Sequence, residues 1–298
     1  MIKRTLYFGN PAYLKTKTEQ LIIEKQDDGE LKTVPIEDIG LLILDHSQIT
    51  ITSGVLAKML EKNVAIITCD ASHHPTGLML NLDGHTLQSR QFAAQIEATL
   101  PMKKQMWQQT ITAKIYNQAT LLKQQNKENK FLLNLAKDVK SGDPENHEAK
   151  AASYYWKNLF PPVIAFRRDR FGMPPNNMLN YGYAILRAVV ARNLVGSGLL
   201  PTLGIFHRNQ YNAYCLADDI MEPYRPFVDK LVCALLNPLE PVFDLTPELK
   251  RELLTIPAMD VFIDGQKSPL MNAVQRTTAS VAKCFEGKMK NITYAELE

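Results

Sequence analysis

The chain has 298 residues, 45% hydrophobic and 22% charged, with 34 basic and 31 acidic side chains and a formal net charge of +3. That is the composition of a folded protein of about two domains, which excludes a wholly disordered chain. The charge is uneven: residues 1–90 hold 9 basic and 11 acidic side chains and the rest 25 and 20, so the later part is the better surface for a polyanion.

In chain order, residues 1–90 read mainly as β. Leu21-Ile22-Ile23 and Val34-Pro35-Ile36 flank the polar tetrapeptide Asp27–Glu30, a hairpin signal. Ile39–Leu44 is a short apolar run, and Ile49-Thr50-Ile51-Thr52 alternates. Ser53 is placed to cap a short helix over 54–62, and 64–68 reads as another buried strand. From about Leu87 to Lys140 the texture turns to Gln, Lys, Leu and Ala, with apolar residues such as Phe131, Leu132, Leu135 and Ala136 at helical spacing. Further helices follow, broken at Pro161-Pro162, 172–175, 196–198 and 238–241. The expected class is α+β: a small β-sheet domain over 1–90 with one inserted helix, then a larger all-α domain over 91–298. Cys69, Cys215, Cys233 and Cys284 fit no zinc or redox spacing. With no secretory leader and no apolar run of about 18 residues, a cytoplasmic protein is expected.

Three segments carry candidate chemistry. In GDPENHEAKAASYYW, Asp143 and Pro144 are suited to open a helix that holds Glu148, with alanines keeping it slim. The plainer alternative is that Glu145 and Glu148 only complement the helix dipole. In LLPTLGIFHRNQYNAYCLADDIMEPYRP, Gly204 permits an unusual backbone, and His207 stands at an apolar–polar junction as a good nitrogen ligand. In the same block, Asp219 and Glu222 share a helix face, while Asp218 reads as an N-cap and Asp219 as a first-turn acid. One imidazole and several carboxylates on separate helices suit Mg²⁺ or Mn²⁺, which act on phosphodiesters. Residues 161–192 add five arginines against one aspartate. Arg167, Arg168 and Arg170, with Arg208 beside the histidine, are candidates for DNA backbone contact. Arg187 and Arg192 read as solvent-facing, and Lys283, Lys288 and Lys290 form a weaker basic tail.

ENHEAKAASYYW, NNMLNYGYAILRA and GIFHRNQYNAYCLADDIMEPYRP, in this order, resemble the signature blocks of the CRISPR spacer-acquisition integrase family, and the His207 block resembles its type II branch. The resemblance covers nearly the whole chain. It implies that Glu148, His207 and Glu222 are catalytic ligands of Mg²⁺ or Mn²⁺, with Asp219, or else Asp218, as an extra acid. Asn180, Tyr181 and Arg225 would support them. The implied activity is a metal-dependent DNA endonuclease and integrase that joins the 3′ ends of captured fragments to the CRISPR repeat by transesterification. The implied partners are duplex DNA with frayed or single-stranded 3′ ends, repeat DNA, a second copy joined through the β domain, and a small ferredoxin-like adaptation protein bridging two dimers. The type II effector nuclease and an adaptor are further implied partners, and no membrane. The rival expectations are a structure-selective metal-dependent nuclease without strand joining, and a non-catalytic DNA-binding scaffold.

Overall fold

A computed structural model describes residues 3–25, 31–237, 239–240 and 242–298, with Val163 described by its backbone only. The first part holds β1 (Arg4–Phe8), β2 (Ala12–Lys17), β3 (Gln20–Lys25), β4 (Leu31–Pro35), β5 (Ile39–Leu44), β6 (Ile49–Ile51), α1 (Ser53–Glu61), β7 (Ala65–Cys69) and β8 (Pro75–Met79). These strands form two sheets. The order β4-β3-β2-β6 makes one, with β6 parallel to β2; the order β1-β5-β7-β8 makes the other, parallel except for β8. The hairpin read around residues 21–36 is β3 paired antiparallel with β4; its turn, Asp27–Glu30, lies outside the described residues. The helix read over 54–62 is α1, but its cap is Thr52 rather than Ser53: the Thr52 side chain accepts from the Val55 amide.

Alternation along β5 and β7 shows why these runs are continuously apolar. Leu41, Ile43, Ala65 and Ile67 face the core of the helical part, whereas Leu42 and Ile66 face a second core shared with the other sheet and α1. Successive strand side chains point to opposite faces, so a strand covered on both sides needs no polar residue. The layers are therefore sheet with α1, sheet, helices.

The rest is mostly helical: α2 (Gln88–Glu97), α3 (Leu100–Gln124), α4 (Lys130–Asp138), α5 (His147–Leu159), α6 (Asn176–Gly196), α7 (Cys215–Met221), α8 (Arg225–Leu235) and α9 (Pro247–Leu253). A hairpin, β9 (Asp260–Ile263) with β10 (Gln266–Pro269), then leads into α10 (Leu270–Phe285). This hairpin is an addition to the all-α expectation. It is short and carries only Val261 and Ile263 into the core, too few positions for period-two alternation to show in sequence. Residue 90, where the texture changes, falls in the first turn of α2. All four cysteines are free, and no helix among the described residues is long and apolar enough to cross a membrane.

Candidate active site

Glu148 is the second residue of α5. Asp143 does cap this helix, from further out than an N-cap: its two carboxylate oxygens accept from the His147 and Glu148 amides, each at 2.9 Å. Pro144 stays outside the helix. Glu222 opens a single 3-10 turn between α7 and α8, 7% exposed at its side chain. Between the two carboxylates lies the ammonium of Lys114 from α3, 2.8 Å from Glu148 Oε1 and 2.6 Å from Glu222 Oε2. The contact with Glu222 Oε2 is an ion pair without hydrogen-bond geometry, so that buried oxygen has no directional partner. Arg225 Nε donates to the other oxygen at 2.8 Å. Burial alone would push Glu222 up; Arg225 and Lys114 outweigh it and hold the carboxyl down at about 2.

His207 reaches the same place from the loop between α6 and α7. Asp219, fully buried, organises that loop: Oδ2 accepts from the Ile205 and Phe206 amides at 2.8 and 2.9 Å, and Oδ1 lies 2.5 Å from His207 Nδ1. This bond raises the His207 pKa against the opposing effect of burial, and the charges of Glu222 and Glu148 add to it. Burial in turn raises the Asp219 carboxyl. Gly204 is required for space: a Cβ there would stand 2.4 Å from the His207 carbonyl oxygen and 2.8 Å from Asp219 Oδ2. The Trp107 ring stacks on Phe206 at 4.2 Å and meets the His207 ring edge-on at 5.6 Å, which fixes the imidazole plane. Side-chain exposure rises from 7% at Glu222 to 23% at Glu148 and 44% at His207, so a ligand approaches from the His207 side.

Among the described residues, no three His, Cys, Asp or Glu side chains are drawn into a ready metal cluster, because Lys114 separates the two glutamates. The donors are of the kind a divalent cation takes: two carboxylates, each now paired with Lys114, and an imidazole whose Nδ1 is held by a carboxylate so that Nε2 is free to ligate.

The sequence pattern of the family described as CRISPR associated protein Cas1 matches residues 6–244. The chain belongs to the Cas1 family. It is 36% identical over 282 residues to a protein of Neisseria meningitidis serogroup C named CRISPR-associated endonuclease Cas1, covering 94% of this chain and 91% of that one; this similarity fits the type II branch. Among solved structures, a casposase bound to integration product aligns with a TM-score of 0.78 at 21% identity, covering 98% of this chain and 92% of its own. A Cas6-RT-Cas1–Cas2 complex aligns at 0.76 and 18%, covering all of this chain and 36% of that one. At these identities the two structures speak for the fold.

The remaining residues singled out in this Cas1 family member differ in where they lie. Arg225 supports the site directly, and its guanidinium also lies over the Tyr183 ring at 4.6 Å. Arg168 is bound inward to Asn176 and Asn180 at 2.8 Å each, so Arg168 and Asn180 pin the loop before α6. Arg167, Arg170 and Arg208 are exposed, and Arg168, Arg170, Arg187 and Arg225 line a cleft of about 540 Å³, in which Arg225 is the residue that also bonds Glu222. Tyr181 does not reach the site. It is fully buried, and burial raises its hydroxyl, with Cys69, Tyr7 and Asp45 of the β layers adding to the rise. Asp218 is not an N-cap, since α7 begins at Cys215; it pairs with Arg187 at 2.6 Å and accepts from Asn212 at 2.7 Å. Of the two arginines read as solvent-facing, Arg187 keeps a 42% exposed side chain while pairing with Asp218, whereas Arg192 departs from the reading and is buried. Lys114 and Trp107 escaped the sequence reading. The available signal was a lysine three residues after Ile111 and next to Ile115, on the face of α3 that enters the core.

Proposed function

We propose that this protein is a divalent-metal-dependent DNA endonuclease and strand-transfer integrase of CRISPR adaptation. The observation that supports this reading is that Glu148 and Glu222, distant in sequence, share one buried ammonium, with His207 close enough to feel both carboxylates, in a Cas1-family chain. Mg²⁺ or Mn²⁺ held by these three would supply charge neutralisation at a scissile phosphate and acidify the attacking hydroxyl. The protein's own groups do the rest. Asp219 holds the His207 tautomer with Nε2 outward, and Arg225 keeps Glu222 ionised and oriented. Asp219 spends its oxygens on the 205–207 loop and is a positioning residue rather than a ligand. Arg167, Arg170 and Arg208 offer phosphate contacts that position DNA without reading its sequence. A 3′-hydroxyl entering from the His207 side would lose its proton and attack the scissile phosphorus in line, so that a new P–O bond forms as the bond to the repeat strand's 3′-oxygen breaks and that oxygen leaves as a protonated hydroxyl; water in place of the 3′-hydroxyl would break the same bond without joining.

The proposed partners are DNA with single-stranded 3′ ends, repeat DNA and a second copy joined through residues 1–90. A small ferredoxin-like adaptation protein bridging two dimers is included, supported by the fold's occurrence in a complex that contains Cas2; the type II effector nuclease and an adaptor are further proposed partners.

The test is a half-site integration assay with a labelled 3′ end, repeat DNA and Mn²⁺. Joining is expected, and Glu222→Ala should lower it by at least on the order of 100-fold, since even groups behind metal ligands are worth about 10–100-fold. Full joining by Glu222→Ala would overturn the assignment, and cutting without joining would leave a nuclease alone.

A further inference from the structure

On the far side of α6 from the candidate active site, a cleft of about 590 Å³ opens between the β layers and helices α2, α6 and α10. That volume lies in the small-ligand range of about 300–1,000 Å³, and clefts between packed units are common ligand sites. Arg192 is only 7% exposed there. Its Nε donates to the Asn63 carbonyl oxygen at 2.5 Å, and among the described residues its guanidinium meets no carboxylate. Burial with no opposing acid pulls it down to about 10. A buried, unmatched cation is costly unless an anion joins it. Two ammonium groups line the same cleft, Lys3 ahead of β1 and the exposed Lys283 on α10, and Lys3 feels the Arg192 charge directly.

The one acid in the lining, Glu286, is matched elsewhere: its carboxylate oxygens lie 3.1 Å from Arg90 Nε and 2.8 Å from Lys288 Nζ. Gln91, 6% exposed, has a buried Oε1 with no donor, and its side chain bonds Glu286. Arg187 does not share this cleft. Five residues apart on a helix place two side chains about 140° apart, and Arg187 faces Asp218 instead.

We propose that this cleft is a phosphate-binding site, in which Arg192 is the buried anchor and Lys3 and Lys283 complete the charge. A guanidinium fork with two ammonium groups is the donor set that a phosphate takes. The phosphate belongs either to a free nucleotide or to a DNA backbone, and both offer the same oxyanion.

The test is calorimetric titration of the full chain in EDTA at constant ionic strength, so that it does not depend on any metal site. Inorganic phosphate, a nucleoside monophosphate and a short duplex are the probes. Phosphate should bind, with affinity about 10-fold weaker in Lys283→Glu, the worth of one charge-assisted contact, and weaker still in Arg192→Gln. Tighter binding of the nucleoside monophosphate than of phosphate identifies a nucleotide site; a duplex that displaces phosphate in wild type but not in Lys283→Glu identifies a DNA site. Lys283 is on the surface, so Lys283→Glu keeps the test alive if Arg192→Gln does not fold. No binding beyond that of chloride, or phosphate binding unchanged in Lys283→Glu, overturns the proposal.

Discussion

Lys114 shows how much one side chain organises. It is almost fully buried, yet Glu222 and Glu148 overcome the effect of burial and raise its pKa, so it stays charged. It supplies the positive charge that lets two close carboxylates share one site. Removing one member of a buried charge cluster costs about 3–5 kcal/mol, because the remaining charges are left unpaired. Lys114→Met is therefore expected to melt well below wild type in EDTA and to gain more from added Mn²⁺ than wild type does, as followed by thermal unfolding. Equal melting in EDTA, or equal gains from Mn²⁺, would show that Lys114 and a metal do not serve the same pair of acids. Glu148, His207 and Glu222 could be named as candidates from sequence because their blocks have a recognisable form. Lys114 was not, since a lysine in a helix rich in Gln and Lys looks like any other surface residue until the helix is rotated into its packing.

At the scale of elements, Asp229 on α8 ties three helices together. It accepts from Tyr155 of α5 at 2.7 Å and Tyr183 of α6 at 2.5 Å, and the Tyr183 ring carries Arg225 on its face. Burial raises the Asp229 carboxyl to about 6, although the two hydroxyls and the nearby Arg225 and Arg168 pull the other way. An acid whose folded pKa lies above its unfolded value binds its proton more tightly in the native state. Stability is then lost as pH rises from about 4 to 6 and is flat above, a change on the order of 3 kcal/mol over the window. Denaturant unfolding from pH 4 to 7 should show this fall in wild type and not in Asp229→Asn; parallel curves would remove it. Glu222 has the opposite sign, with stability lost as pH falls from about 4.5 towards 2. Helix positions were mostly legible from periodicity, whereas their first residues were not. Caps are set by which oxygen reaches the free amides, and in α5 that oxygen comes from Asp143, four residues before the helix begins.

Across the whole molecule, the β layers and the helices are joined by buried polar contacts as well as by the shared core. Asp45, after β5, is 1% exposed at its side chain and pairs with Lys250 of α9 at 3.0 Å; it also bonds Tyr7 at 2.6 Å and His73 at 2.8 Å. Tyr7 and Lys250 more than offset the effect of burial and hold the Asp45 carboxyl below its ordinary range. Lys250→Met should cost up to about 3–5 kcal/mol by removing the buried ammonium from Asp45, with Tyr7 and His73 as its remaining partners. Because sheet and helices share one core, the loss should appear as a lower single transition in calorimetry. A variant that melts like wild type would mean the pair does not hold the layers.

The α+β class, the run from β3 through β7 with α1, and the helical character of the later part were present in the chain by itself, because propensity and apolar periodicity act between residues close in sequence; the three candidate ligands were named from the resemblance of their blocks. Which face each helix buries, where Lys114 and Arg192 lie, and which acids are already spoken for were decided only by tertiary packing. Desolvation and charge pairing depend on neighbours tens or hundreds of residues away, and no local pattern encodes them.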